Sequence, residues 1–278
     1  MLERAEIVED LTEREFLGLV GFVKENYGIN LSQKKILVCG RLSHYIVQSG
    51  FNSFSEYFSH VKSDRTGKAG VILVNKLTTN HTYFLREPQH FQILEQMILP
   101  YFAKMEAQNK DLRVWSAGCS TGEEPYTLAM LINSYFGATK CGWNTKILAT
   151  DISTDVLEQG QKAMYPNSQL ENIPERWRAQ YFHKIDTESS VIKDIIRQEV
   201  IFRRFNLMTE IFPFKKKFHL IFCRNVMIYF DAKTKVDLIK RFYDHMEPGG
   251  YLFIGHSESI NRHESEYQFV APAVYRKV

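Results

Sequence analysis

The sequence predicts an α/β protein: a doubly wound parallel sheet with a small inserted antiparallel β-subdomain, preceded by a small all-α domain. Three observations predict it. Short amphipathic segments with short connections fill the start of the chain. The stretch LRVWSAGCSTGEEP, Leu112 to Pro125, passes from an apolar run through a glycine-framed loop into a helix. Apolar runs then alternate with helical patterns, interrupted once by two β-rich runs.

Thr12 with Glu15 three residues on forms a capping box, and Leu11 and Phe16 stand in hydrophobic-staple positions. Phe16, Val20, Val23 and Tyr27 share one helical face, which Gly28 ends. Further helices are expected from Ser32 to Gln48, from Ser53 with Glu56 as box partner, and over Lys68 to Leu77. This all-α domain, residues 1–77, contains no paired catalytic groups. A linker, residues 78–110, follows. Its segment TTNHTYFLRE interleaves polar residues with aromatics, and from Pro88 the residues Phe91, Leu94, Ile98, Tyr101 and Met105 recur at helical spacing.

Residues 111–278 supply the sheet. Leu112, Val114 and Trp115 are strand formers, Gly118 and Gly122 permit tight turns, and Pro125 suits a first helical turn. The N–H groups of such a helix start are unsatisfied and point at whatever lies above the strand end. A dinucleotide fingerprint beginning at Gly118 would need glycine where Ser120 and Glu123 stand, and the Glu123 carboxylate would repel a pyrophosphate. A cofactor without phosphate fits better. S-adenosylmethionine has a carboxylate for the loop, a ribose diol for an acidic residue and no diphosphate. The structural alternative makes Ser120 or Thr121 a helix cap with Glu123 or Glu124 as its box partner.

The run KILATD is a second strand ending in Asp151, where a carboxylate can accept two hydrogen bonds from a ribose diol or cap a helix running from about Ser153 to Met164. The next parallel strand, Val200 to Asn206, arrives late. The intervening insertion, about residues 166–199, carries β-rich runs at Tyr181 to Asp186 and Val191 to Ile196 around the turn DTESS. FHLIFCRN suits a strand buried on both faces, a helix is expected from Asp231 to Met246, GGYLFIGHSE is another central strand, and YQFVAPAVYRKV closes with an antiparallel pair.

The composition, 44% hydrophobic and 24% charged, is that of an ordinary globular protein. No apolar run approaches a membrane span, and MLERAEIVED is too acidic for a signal or transit peptide, so a cytoplasmic location is expected. The four cysteines form no CxxC pair, and neither a disulfide framework nor a metal site is expected. Charge is uneven: residues 1–30 hold three basic and seven acidic residues, −4, whereas residues 31–76 hold seven basic and two acidic, +5. Such a block can steer an acidic partner or form a solvated helix surface.

Taken in order and spacing, TTNHTYFLRE, WSAGCSTGEEPYTLA, ATDI, FNL, CRNVMIYF and GHSES resemble the chemotaxis receptor methyltransferase family, CheR, over nearly the whole chain. The resemblance implies a Rossmann-like class I methyltransferase domain behind the helical one. It also implies methylation of specific glutamates on the cytoplasmic helical region of chemoreceptors, the methyl-accepting chemotaxis proteins; a monomer that neither inserts in the membrane nor binds nucleic acid is expected. Carried over by motif, Asn80, Thr82, Arg86, Gly118, Glu123, Asp151, Asn206, Leu207, Arg224 and Asn225 would contact S-adenosylmethionine, with Arg86 and Tyr229 as the catalytic candidates. Arg86 could pair with the cofactor carboxylate or with the substrate glutamate.

Two departures from the family pattern stand out. The second helix keeps Lys34, Lys35 and Arg41 but carries His44, Tyr45 and Gln48 on its later turns, which implies weaker receptor contact there. The turn DTESS lacks the glycine found in members that dock on a receptor's C-terminal pentapeptide, so a pentapeptide-independent enzyme is expected. Two rivals remain at this point. A nucleic-acid methyltransferase is suggested by the basic block and by Lys215, Lys216 and Lys217, but CRNV stands where base-amine methyltransferases carry an Asp/Asn-Pro-Pro-aromatic motif, and the net charge is only +3. A non-catalytic S-adenosylmethionine-binding regulator is the other.

Overall fold

The computed structural model describes residues 11–261 and 265–278, so the reading of MLERAEIVED lies outside the described residues. Helix α1 (Glu13–Tyr27) begins where its cap places it. The Thr12 hydroxyl accepts from the Glu15 N–H, the Glu15 carboxylate takes the Thr12 N–H at 2.9 Å, and Gly28 ends the helix at φ 73°. Helix α2 (Lys35–Gln48) starts later than Ser32, because the Asn30 side chain draws the Ser32 N–H and hydroxyl into a turn. Helix α3 (Phe54–Ser63) is capped by Ser53, but the Glu56 carboxylate binds the Asn52 N–H, one residue outside the expected box. Helix α4 (Lys68–Leu77) packs on α1, α2 and α3.

The chain divides into two compact units. One comprises the residues up to Asn80 together with Tyr229–Thr234, and the other comprises His81–Ile228 and Lys235–Val278. The late segment is tied into the helical unit by the Asn30 N–H, which donates to the Tyr229 carbonyl at 2.8 Å, and by Lys24, which pairs with Asp231 at 2.6 Å.

In the second unit, α5 (Pro88–Ile93) passes through a π-turn (Leu94–Ile98) into α6 (Leu99–Met105). Pro100 has no N–H to return to the turn before it, which accounts for the widened turn. Met105, expected on the apolar face, is exposed. Among the described residues ten strands follow: β1 (Val114–Ala117), β2 (Ile147–Asp151), β3 (Met164–Pro166), β4 (Phe182–Lys184), β5 (Ser189–Ile192), β6 (Val200–Arg204), β7 (Phe218–Cys223), β8 (Met246–Ile254), β9 (Gln268–Ala271) and β10 (Val274–Arg276). Seven of them form one sheet in the order β6-β2-β1-β7-β8-β10-β9, parallel except that β10 is antiparallel to both of its neighbours. The chain runs outward from β1 to β2 and β6, then returns to β7 on the other side of β1. This reversal opens a crevice at the carboxyl ends of β1 and β7.

Helix α7 (Glu123–Phe136) follows β1 and α8 (Thr154–Lys162) follows β2. Helix α8 stops at Ala163, which adopts a left-handed conformation, so Met164 opens β3 rather than closing the helix. Between β3 and β4 lies α9 (Glu175–Tyr181). After β5 the chain turns into α10 (Asp194–Arg197), so the expected strand from Val191 to Ile196 ends at Ile192. Strands β3, β5 and β4 form the small antiparallel sheet. Its turn needs no glycine because Asp186 closes it, accepting from the N–H groups of Glu188 and Ser189 at 2.8 and 2.7 Å. Helix α11 (Ala232–Asp244) precedes β8.

Trp115 is fully buried on β1. Phe212, Phe214, Phe218 and Phe242 surround its ring, and its indole N–H donates to the Thr150 hydroxyl at 2.9 Å. This packing keeps β1 and β2 in register where they meet the crevice.

Candidate functional site

Four sequence-predicted groups leave the same edge of the sheet. The loop from Gly118 to Gly122 follows β1, Asp151 ends β2, Asn206 and Leu207 follow β6, and Arg224 and Asn225 follow β7. The parallel register brings Asp151 opposite Arg204, and the Phe205 N–H donates to the Asp151 carbonyl at 2.9 Å.

The loop after β1 is shaped by backbone. Gly118 has φ 85°, Ser120 φ 48° and Gly122 φ 98°. A Cβ at Gly118 would lie 2.4 Å from a Val226 methyl, so both the dihedral and the space demand glycine. The Gly118 and Cys119 N–H groups donate to the Thr150 carbonyl, and the Ser120 N–H donates to Asp151 Oδ2 at 2.9 Å. Asp151 Oδ1 accepts from the Ser153 N–H, while Ser153 itself caps α8. Asp151 is thus a brace between loop and strand rather than the helix cap. Burial raises its carboxyl above the usual carboxylate range, against the hydrogen bonds from Ser153 and Ser120.

The structure overturns the capping-box alternative for the central loop. The N-cap of α7 is Gly122, with no side-chain cap. Glu123 is buried, accepts from the Thr121 hydroxyl at 2.7 Å, and has its carboxyl raised by burial. Glu124 accepts from the Ser116 hydroxyl at 2.7 Å and from Arg224 Nη1 at 3.1 Å.

Arg224 is buried and linked on three sides. Its Nη2 and Nε donate to Glu87 Oε2 at 3.0 and 3.3 Å, Nη1 reaches Glu124, and Nη2 also donates to the Arg86 carbonyl. The Asn225 amide and the His256 N–H donate to Glu87 Oε1 at 3.2 and 3.3 Å. Burial by itself would raise the Glu87 carboxyl, but the Arg224 charge and these donors hold it below the usual range. Glu258 fixes the turn after β7, accepting from the N–H groups of Asn225, Ile228 and Gly255 at 3.1, 3.0 and 2.5 Å. Burial raises the Glu258 carboxyl despite those bonds.

Arg86 is half-buried, donates from Nη1 to the His81 carbonyl at 2.7 Å, and forms no ion pair among the described residues. Asn206 accepts from the Met208 N–H at 3.0 Å, and Leu207 is buried. Thr82 lies in the same linker as Arg86. Asn80 and Tyr229 belong to the helical unit, where the Tyr229 hydroxyl exchanges hydrogen bonds with the backbone of Thr79 at 3.3 Å. Sequence reasoning missed Glu87, His90 and Glu258. Glu87 closes TTNHTYFLRE and Glu258 stands in GHSES, where a carboxylate flanked by glycine and an apolar strand is the signal for it, whereas His90 lies outside these motifs. Glu87, His90 and His256 bring ligand-type atoms within 4.8 Å of one another, but a cation there would have to displace Arg224 from Glu87.

Comparison with known proteins accounts for this arrangement. Residues 80–275 match the family described as CheR methyltransferase, SAM binding domain, and residues 14–78 match CheR methyltransferase, all-alpha domain. The chain belongs to the CheR methyltransferase family. It is 42% identical over 272 residues to a chemotaxis protein methyltransferase of Borreliella burgdorferi, covering 96% of this chain and 95% of that one. Chemotaxis protein methyltransferase 1 of Pseudomonas aeruginosa is 36% identical, with 90% and 91% covered, and the chemotaxis protein methyltransferase of Escherichia coli K12 is 32% identical, with 95% and 91% covered.

The chain is an S-adenosylmethionine-dependent methyltransferase of chemotaxis, with a Rossmann-like domain that carries the cofactor. The residues present fit that cofactor. The CheR loop between β1 and α7 is built on glycine where a Cβ would collide, and it is flanked by the carboxylates Glu123 and Asp151 with no lysine or arginine between Cys119 and Pro125. Such a loop suits hydroxyls and a cationic sulfonium, not phosphates. Among the described residues no helix is long and apolar enough to cross a membrane.

Proposed function

We propose that this CheR-family enzyme methylates specific glutamate side chains of methyl-accepting chemotaxis receptors, forming glutamate methyl esters and S-adenosylhomocysteine. The observation that carries this reading is Arg86: a linker guanidinium with no carboxylate partner among the described residues, coupled through its backbone to the end of β7 beside an acidic cofactor loop. A guanidinium so held suits a substrate carboxylate or the cofactor's own.

In the proposed site Asp151 would accept the ribose hydroxyls, Gly118 and Glu123 would line the cofactor, and Asn206 and Leu207 would flank the adenine, with Thr82 and Asn225 contributing as in the family pattern. When bound, S-adenosylmethionine supplies an electrophilic methyl group on a sulfonium. A glutamate carboxylate, with an ordinary pKa of about 4.3, is already anionic near neutral pH and needs no general base. The task of the chain is therefore positioning and water exclusion, which can contribute large effective molarities. Arg86 orients a carboxylate without pairing so tightly as to blunt it.

The enzyme is read as a cytoplasmic monomer that recognises the helical cytoplasmic region of its receptor. The Asp186-closed turn supports independence from a receptor pentapeptide, because a compact turn without glycine leaves little backbone for a strand-like tether. The test is transfer of a labelled methyl group from S-adenosylmethionine to a chemoreceptor cytoplasmic fragment. Base-labile label on glutamate is expected; label on RNA alone, or cofactor binding with no transfer to any acceptor, overturns the reading.

A further inference from the structure

Arg86 stands between two backbone anomalies. Leu85 and Glu87 have φ of 59° and 58°, a left-handed conformation in which a bulky leucine is an outlier. Such a conformation persists only where the surroundings over-determine it, and here they do. Phe84 is buried against the rings of Tyr165 and Phe182, the Leu85 N–H meets the Thr127 hydroxyl at 3.3 Å, and Arg224 donates to the Arg86 carbonyl.

Arg224 is a poor candidate for a cofactor ligand. Four of its five N–H groups are committed, two to Glu87, one to Glu124 and one to the Arg86 carbonyl, and the Phe91 ring covers it at 5.3 Å. Freeing it would strand two carboxylates in a buried place. A buried ion chain of this kind adds little stability over apolar packing, so its use is to be sought in what it holds. Glu124 is anchored to β1 through the Ser116 hydroxyl and Glu87 to the ends of β7 and β8 through Asn225 and His256. The chain Glu87–Arg224–Glu124 therefore fastens the Arg86 backbone to three strand ends.

We propose that Glu87 and Arg224 are positioning residues. They clamp the strained Leu85–Glu87 backbone so that the Arg86 guanidinium is presented in one orientation, and Arg224 acts on methyl transfer through Arg86 rather than as a ligand of the cofactor. This rests on the reading of Arg86 as the group that orients the substrate carboxylate rather than the cofactor's.

The test uses the full chain and the variants Arg224→Lys, Glu87→Gln, Arg86→Ala and the double variant Arg86→Ala/Arg224→Lys. Lysine keeps the charge but cannot span Glu87, Glu124 and the Arg86 carbonyl together. Glutamine keeps the shape of Glu87, so it remains informative if Arg224→Lys folds poorly. Calorimetric titration with S-adenosylhomocysteine gives affinity, and single-turnover transfer to a receptor fragment gives rate. Arg224→Lys and Glu87→Gln are each expected to lower the rate about tenfold or more while changing affinity by less than about threefold. In the Arg86→Ala background, Arg224→Lys is expected to lower the rate no further. An affinity loss that matches the rate loss, or multiplicative rate effects in the double variant, overturns the proposal. A second readout needs no substrate: the Arg86 Nε–H resonance, assigned by its loss in Arg86→Lys, should broaden or split in Glu87→Gln and Arg224→Lys, and an unchanged resonance counts against the clamp. Absence of receptor labelling by the wild-type chain would sink the substrate reading alone, and the resonance would still judge the clamp.

Discussion

Asp151 has both carboxylate oxygens on backbone N–H groups, yet each oxygen keeps a second lone pair, so bracing the loop and reading a diol are compatible tasks. Asp151→Ala would orphan the Ser120 and Ser153 N–H groups and remove the diol acceptor together. Hydrogen bonds to a charged group contribute about 1.5–3 kcal/mol, so calorimetry should read S-adenosylmethionine affinity weaker by about 10- to 100-fold. His90 offers a different test. Fully buried, 3.4 Å from Glu87 and edge-on to the His256 ring, it has its imidazole pushed down to about 3, by burial first and then by the Arg224 charge. The unfolded chain, with a value near 6.5, takes up the proton first as pH falls, so the folded state is favoured fully above pH 6.5 and progressively less down towards pH 3. At pH 5 the loss is about 2 kcal/mol, and urea titrations should show a shallower pH dependence for His90→Phe than for wild type between pH 7 and pH 5.

Among the elements, the β1 loop is the least tolerant of change. Gly118→Ala must fit a methyl group against Val226 at φ 85°, so the loop has to move, and cofactor affinity is expected to fall at least about tenfold with the sheet intact. Circular dichroism beside calorimetry separates the two. At the other end of the chain, Thr12→Ala removes one half of a reciprocal cap and should cost about 1 kcal/mol in a denaturant titration, with no change in cofactor affinity. The insertion between β2 and β6 forms its own small sheet, with β3 and β4 flanking β5 and Asp186 closing its turn, but Tyr165, Phe182 and Ile192 share the core of the main sheet.

For the whole molecule, the two compact units divide the labour proposed for it. The helical unit carries the basic block of residues 31–76, including Lys34, Lys35 and Arg41, and the sheet unit carries the cofactor loop and Arg86. If the receptor is recognised along its helical region alone, fragments with and without their last residues should be methylated at rates within about twofold, whereas a tether-dependent enzyme loses more than tenfold on truncation. Raising salt from 50 to 300 mM should weaken receptor binding more than cofactor binding, since screening acts on exposed charges at a distance and not on buried loops.

Local chemistry was enough for the features that depend on neighbours in the chain. The Thr12–Glu15 box, the span of α4, the glycine positions of the β1 loop and the strands ending at Asp151 and just before Arg224 all follow from caps, periodicity and turn residues a few positions apart. Motif order carried the family, which the relatives then showed. What depends on groups far apart in sequence was hidden. Glu87 and Arg224 lie 137 residues apart and Asn225 and Glu258 33 apart, so no local pattern announces that an arginine from one motif is spent on a carboxylate from another. The short third strand of the insertion escaped for the same reason. Met164–Pro166 has too few residues to declare a period, and it becomes a strand only because β5 is there to pair with it. Burial then decided what the carboxylates are: in water Glu123, Asp151 and Glu258 would be alike, and only the packed sheet edge raises all three while the Arg224 charge holds Glu87 low.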